Sequence, residues 1–391
     1  MARILMGWEM GNGLGHIAQL KSIGEALEAA GHELVYVLRH RHGVRELFSP
    51  RKVDARLAPR WIANIKFGDK EFVTATVADI MGFSGFRDVE TIGGIMRGWD
   101  RRFAEIKPDL IVGDTGPALW LAARDRIPTI AIGMGMLMPP SHLSAMPCLV
   151  DGTPSKYDQV QMVDAVNTVQ RARGGPTIES LPEMFRGDAT FVLNLPILDP
   201  YRADRLRPPD GPLGGLPEYA EMPDEPFVFI YLAHDQPTVE AFYRGLRASG
   251  LPSVMFLRGA SDERVSSLCD GHLRVVNQPL PMVETLTKSR LVVHYGGFNT
   301  VTSALAIGRP QMVIPVALER KLSAQRVQEL GVGFWLDGTG NPSRFARFLT
   351  GMVKDADLIK RTQRIAKEIA EGTYPNQIPR IAAACEALLA K

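Results

Sequence analysis

Near the N-terminus the run Gly11-Asn12-Gly13-Leu14-Gly15-His16 follows a short apolar stretch and precedes a helical pattern. An imidazole titrates near neutrality, so a histidine at the ligand edge of a strand suits the removal of a proton from an alcohol. A histidine there also serves as a structural residue bonded to the helix backbone. A general base needs an orienting partner, and Asp114 in KPDLIVGDTGPALWLAA ends another expected strand. Strand ends of a parallel sheet would bring His16 and Asp114 to one edge. The alternative for Asp114 is a cap on the helix that follows.

The second group lies in LVVHYGGFNTVTSALAIGRPQMVIP. A buried strand there ends in Gly296-Gly297, and a helix starts near Asn299. Glycines let the backbone approach a ligand closely, and a helix N-terminus offers free N–H groups and a positive dipole end to a phosphate. Asn299 and Thr300 could cap that helix or donate to the phosphate. The Gly-Arg-Pro turn and a further strand return the loop after Pro315 to the same edge, where open α/β sheets bind ligands.

The elements that must position these residues alternate. Ala2–Met6 reads as a strand, Ile17–Ala30 as a helix and Leu34–Leu38 as a strand. The pattern returns at Leu110–Val112, Ala118–Arg124 and Thr129–Ile132, then at Phe227, Val254–Leu257, Leu291–His294, Val301–Ile307 and Gln311–Ile314. Such alternation implies parallel sheets covered by helices on both faces. Proline and a Gly-Gly pair crowd residues 196–226, which reads as a linker. The expected organisation is therefore an N-terminal Rossmann-like domain over 1–195, a linker over 196–226 and a second Rossmann-like domain over 227–372. A C-terminal helix within 373–391 would cross back to the first domain.

Composition narrows the function. The chain has 391 residues, 45% hydrophobic and 23% charged, with a net charge of +2, too small to suggest nucleic acid as the main partner. Arg39, Arg41, Arg45, Arg51, Lys52, Arg56 and Arg60 cluster with His40 and His42. They read first as a solvated face, and more sharply as a landing site for an anionic acceptor or a lipid headgroup. Cys148, Cys269 and Cys385 form neither a metal spacing nor a disulfide framework. With no signal-peptide pattern and no apolar run of membrane-spanning length, the expected location is cytoplasmic, with peripheral membrane contact left open. Oligomeric state is not legible. The glycines of the first turn run G-x-G-x-G rather than G-x-G-x-x-G, and Arg39 and His40 stand where a dinucleotide site wants an acid, so NAD is not expected. The only D-x-D, Asp355-Ala356-Asp357, falls in a helical region and reads as solvent face, which argues against a metal site. Phe83, Phe86, Trp99 and Phe103 read as core, with an acceptor pocket as the alternative.

The second group resembles the donor motif of the UDP-glycosyltransferase superfamily, the GT-B enzymes that include macrolide, flavonoid and glucuronosyl transferases. Gly296, Gly297, Asn299, Thr300, Gly308, Pro310, Pro315 and Glu319 fall on that pattern, as does the tail from Ala324 to Gly333. Tyr295 stands where the family places a phosphate-binding histidine, with His294 one place earlier. Ser303 replaces the ribose-binding glutamate, and Arg320 replaces a sugar-contacting glutamine. In the N-terminal half, Gly15-His16 and Asp114 match the family's base and its orienting aspartate. The resemblance implies two Rossmann-like domains facing a cleft, and an inverting, metal-independent transfer from a UDP- or dTDP-sugar to a hydroxyl of a small-molecule acceptor. It assigns catalysis to His16 and Asp114, the acceptor-side loop to Gly13 and Gly15, and the donor to His294, Tyr295, Gly296, Gly297, Asn299, Thr300, Ser303, Glu319 and Arg320. No cofactor is implied beyond the donor. The alternatives are a nucleotide-sugar-binding protein that has lost transfer, and a sugar-nucleotide epimerase.

Overall fold

A computed structural model of the chain describes residues 1–11, 13–61, 74–150, 152–225, 227–235, 239–336 and 341–391. Its contacts divide the chain into two units, Met1–Gly215 with Pro375–Lys391, and Leu216–Tyr374.

The first unit is built on strands β1 (Arg3–Trp8), β2 (Glu33–Leu38), β3 (Ala55–Leu57), β4 (Leu110–Asp114), β5 (Thr129–Gly133) and β6 (Ala189–Val192). They form one parallel sheet in the order β3-β2-β1-β4-β5-β6. Runs such as ILMGW and LIVGD show no polar alternation because helices cover both faces. The sheet grows from β1 in one direction through β2 and β3, and in the other through β4. Diverging connections open a crevice beyond the C-terminal ends of β1 and β4. Trp8 and Asp114 are paired in register at that end. Helix Leu14–Ala29 follows β1, and helix Ile378–Leu389 packs on it, burying Ile381 and Cys385 in the same core.

The stretch expected as a linker over 196–226 begins instead as a packed part of the first unit. Tyr201 is fully buried, and its hydroxyl donates to Met136 O at 2.8 Å. Arg205 pairs with the buried Asp199 at 2.5 Å and donates to Met138 O. Proline removes backbone donors there, but side-chain bonds to backbone oxygens fix the path, and the units part between Gly215 and Leu216. Pro226, at the end of the expected linker, lies outside the described residues.

The second unit repeats the plan. Strands β7 (Val228–Ala233), β8 (Ser253–Arg258), β9 (Leu273–Val276), β10 (Leu291–His294), β11 (Gln311–Val313) and β12 (Gly333–Trp335) are parallel, in the order β12-β11-β10-β7-β8-β9. Its order reverses between β7 and β10, where His294 pairs in register with Tyr231. Behind this edge, the fully buried Arg309 donates to the carbonyls of Leu286, Ala220, Glu221 and Thr287. Burial depresses its pKa to about 10, and it fixes the chain entering the unit against the turn after helix Phe298–Ile307.

One acid holds two loops of the first unit together. Asp79 is fully buried; its Oδ2 accepts from Ala75 N and Thr76 N at 3.0 and 2.9 Å. Its Oδ1 accepts from Ser155 Oγ, Lys156 N and Tyr157 N at 3.0, 2.8 and 3.2 Å.

Candidate functional site

At the switch point of the first sheet, His16 and Asp114 meet. Nδ1 of His16 lies 2.9 Å from Oδ2 of Asp114, with the histidine 9% and the aspartate 1% exposed. Oδ1 of Asp114 accepts from Thr115 Oγ1 at 2.9 Å. The alternative of Asp114 as a helix cap is not realised: helix Pro117–Ala123 has Gly116 at its N-cap and no side-chain cap bond from that position. A buried carboxyl group so close to one ring nitrogen fixes the tautomer and plane of the imidazole.

Two further residues shape this dyad. Trp8 stacks on His16, with ring centroids 4.9 Å apart and planes 17° from parallel, while His40 meets the indole edge-on at 4.6 Å. Gly11 has φ +89°, and a Cβ placed there would collide with Nε2 of His16. Gly13 and Gly15, expected as the loop residues that matter, have nothing within 4 Å of a built Cβ. The glycine that spatial crowding demands is Gly11; Gly13, with φ +108°, answers to backbone conformation alone.

The acid that secures this corner is Glu9, which sequence reasoning passed over. It is 1% exposed and accepts from Trp99 Nε1 at 2.8 Å and from the N–H groups of Ala118 and Leu119 at 2.9 and 3.2 Å. Arg39 donates to its backbone oxygen, and Met10 N donates to Thr115 O. The loop leading to His16 and the loop leaving Asp114 are thereby tied together. Burial raises the Glu9 pKa, and these donors oppose the rise. A charged residue between Trp8 and Met10 at the end of an apolar strand was the available signal.

In the second unit the Gly296-Gly297 turn lies at the equivalent edge. Gly296 has φ +85°, and a Cβ there would press on Arg320 Cβ and O at 3.0 Å, so the turn and the segment Glu319-Arg320 are in contact. The Arg320 guanidinium carbon stands 4.3 Å from the Tyr295 ring centroid, and that of Arg258 stands 5.7 Å away. Helix Phe298–Ile307 starts after Gly297 with no side-chain cap, so neither Asn299 nor Thr300 caps it. Asn299 and Glu319 are exposed, Ser303 half-buried and Thr300 buried. This edge presents cationic groups and a helix N-terminus, the requirements of an anion.

His294 is the exception among the expected donor residues. It is fully buried; Nδ1 accepts from Gly296 N at 3.0 Å, and Nε2 lies 2.9 Å from Gln311 Oε1. Burial pushes its pKa down to about 4, so it is neutral, with the proton on Nε2. Both nitrogens are spent inside the unit, and His294 braces the glycine turn rather than facing a ligand.

Other expectations resolve simply. Phe86, Trp99 and Phe103 are buried core. Asp355 caps helix Ala356–Glu371 by accepting from Leu358 N, as a helical-region acid should. The basic run divides: Arg51 pairs with Glu28 and Arg56 with Asp54, while Arg39 turns inward. Among the described residues no His, Cys, Asp and Glu group could hold a metal, and no helix is long and apolar enough to cross a membrane.

Residues 253–388 match the family model of the erythromycin biosynthesis protein CIII-like C-terminal domain. The NDP-glycosyltransferase YjiC of Bacillus subtilis (strain 168) is 32% identical over 117 residues, 30% of this chain. That match and the one to its Bacillus licheniformis counterpart span under a third of either relative, 29% and 24%. The L-demethylnoviosyl transferase of Streptomyces niveus is 23% identical over 93% of both chains. Among solved structures, the calicheamicin glycosyltransferase CalG4 superposes with a TM-score of 0.72 at 20% identity, covering 100% of this chain and 98% of that one. The glycosyltransferase VinC in complex with dTDP gives 0.65 at 19% identity, covering 98% of this chain and 100% of that one.

Proposed function

We propose that this chain, a member of the UDP-glycosyltransferase superfamily with the GT-B fold, is an inverting, metal-independent glycosyltransferase that moves a sugar from a nucleoside diphosphate to a hydroxyl of a small-molecule acceptor. The observation that carries this reading is the 2.9 Å contact between His16 Nδ1 and Asp114 Oδ2 at the switch point of the first sheet. A protein that only binds sugar nucleotides has no use for an oriented base.

In this mechanism the acceptor oxygen bonds to C1 of the donor sugar while its proton passes to His16. The C1–oxygen bond to the diphosphate breaks on the opposite face, and the leaving nucleoside diphosphate takes the electron pair. With Nδ1 committed to Asp114, proton transfer falls to Nε2, the atom that Gly11 leaves uncrowded. Asp114 holds the ring and stabilises the imidazolium as it forms. Charge on the leaving group is met by the N-terminus of helix Phe298–Ile307 and by the guanidiniums of Arg320 and Arg258 beside Tyr295. The exposed carboxylate of Glu319 accepts from sugar hydroxyls, and Ser303 offers the ribose a single hydroxyl.

A nucleotide-sugar-binding protein without transfer is the second reading, favoured by His294, which has no nitrogen to give a donor. Incubation with a panel of UDP- and dTDP-sugars, scoring released nucleoside diphosphate, separates the two. Turnover that disappears in His16→Ala supports the transferase; binding of a donor with no turnover at any acceptor supports the second reading.

A further inference from the structure

A second cavity in the first unit shares no residue with the dyad. It measures about 670 Å³ and lies between residues 57–60 and one face of helix Val89–Ile106. Among the described residues four arginines line it, Arg60, Arg97, Arg101 and Arg102, against a single acid, Glu90. Arg102 is committed to Glu105 and to the backbone oxygen of Leu57. Arg60, Arg97 and Arg101 are exposed, and none makes an ion pair among the described residues. Three guanidiniums around one cavity repel one another until an anion enters.

The helix itself is shaped for an occupant. Glycine is the poorest helix former after proline, yet this helix carries Gly93, Gly94 and Gly98. Gly98 has a packing reason, since a Cβ there would press into Pro59 at 2.7 Å. Gly94 has none: it is exposed, lines the cavity, and has nothing within 4 Å of a built Cβ. Space is kept where a side chain would have been favourable for the helix.

We propose that this cavity binds a phosphate ester. A phosphate monoester brings about two negative charges and three acceptor oxygens, a better match to three guanidiniums than one carboxylate. The volume is in the range of small-ligand pockets and exceeds what an isolated phosphate fills. Leu57, Pro59 and Ile95 supply apolar wall for the rest of the ester. The same chemistry arises from a soluble phosphorylated compound or from phosphatidic acid, the lipid whose headgroup is itself a phosphate monoester. The site is independent of the transferase reading.

The test is calorimetric titration of the full chain with glycerol 3-phosphate, alongside co-sedimentation with vesicles of phosphatidylcholine alone and of phosphatidylcholine containing phosphatidic acid. The Arg97→Gln/Arg101→Gln variant should weaken binding at least tenfold, Arg320→Gln in the second unit should not, and raised salt should weaken binding in the wild type. Gly94→Leu, which fills the cavity, should also weaken it without lowering the thermal midpoint. Ester binding without sedimentation identifies a soluble ligand; sedimentation only with vesicles that contain phosphatidic acid identifies a lipid headgroup. Binding of neither probe, or binding that persists in the double arginine variant, overturns the proposal.

Discussion

The two units share one strand order, and each places a histidine beside a glycine turn at its switch point, yet the two histidines do opposite things. His16 comes after its turn, at the start of a helix, with Nδ1 on Asp114 and its ring stacked on Trp8. His294 comes before its turn, as the last residue of a strand, buried and bonded at both nitrogens to its own unit. His294 ends a strand that is buried throughout, whereas His16 lies past its glycines in the first turn of a helix. Position relative to the turn, more than residue type, separates the proposed reagent from the brace.

Four measurements test that contrast. The largest effect belongs to the reagent: His16→Ala should lower transfer by about 10²-fold or more, as loss of a general base does. Donor affinity by calorimetry should hardly change, because the proposed donor residues belong to the second unit. Unchanged turnover would remove His16 from the mechanism. Next is the space around the ring. Gly11→Ala should cut kcat at least tenfold and destabilise the fold by roughly 1 kcal/mol or more, since φ is +89° and the new methyl meets Nε2. Gly15→Ala, with open space and ordinary φ, is the matched control and should leave kcat within about twofold; equal losses in both variants would show that crowding at Nε2 is not what Gly11 prevents.

The brace should show itself in pH dependence. His294 has a folded pKa of about 4, below its ordinary value, so the unfolded chain binds the extra proton first. Its contribution to stability is therefore complete above about pH 6.5 and is lost as pH falls toward 4. Between pH 7 and pH 5 the loss should be about 2 kcal/mol, read from urea unfolding of the second unit's transition. His294→Asn should be less stable at pH 7 and show a flatter profile across that window; an unchanged slope would mean that His294 is not the titrating group. The smallest effect concerns Ser303. One neutral hydroxyl replaces a bidentate carboxylate, a difference of roughly 1–2 kcal/mol, so UDP and dTDP should bind within about tenfold of each other. A preference for UDP beyond a hundredfold would show that other groups rebuild the ribose contact.

What was legible in the chain follows from range. Strand and helix periodicity is local, and every expected strand is found, with β1 and β4 running two residues further than expected, to Trp8 and Asp114. The pairing of His16 with Asp114 was legible because two strand ends and one resemblance pointed to the same edge. Glu9 was not, because its partners lie 90 to 110 residues away, on two helices whose approach no local pattern encodes. His294 could have been placed correctly: it closes the buried run LVV, and the flanking apolar residues already put it in the interior. Choosing Gly11 over Gly13 and Gly15 needed the rotamer of His16, which only the folded loop supplies. The prolines of 196–226 signalled the absence of regular elements correctly, but Tyr201 and Arg205 show that an irregular segment can still be packed.

Asp79 sets a rule for anyone who would recombine this chain with its relatives. Its two carboxylate oxygens are divided between donors from 75–76 and donors from 155–157, so those segments form a single exchangeable block. A chimera that imports 153–158 alone, with a backbone that no longer offers its N–H groups, strands one oxygen of a fully buried carboxylate. Leaving one oxygen of a buried carboxyl group without its donors costs about 1–3 kcal/mol, a sizeable part of the stability of an ordinary domain. Loop grafts in this part of the first unit should succeed only when both segments, and the acid between them, come from the same parent.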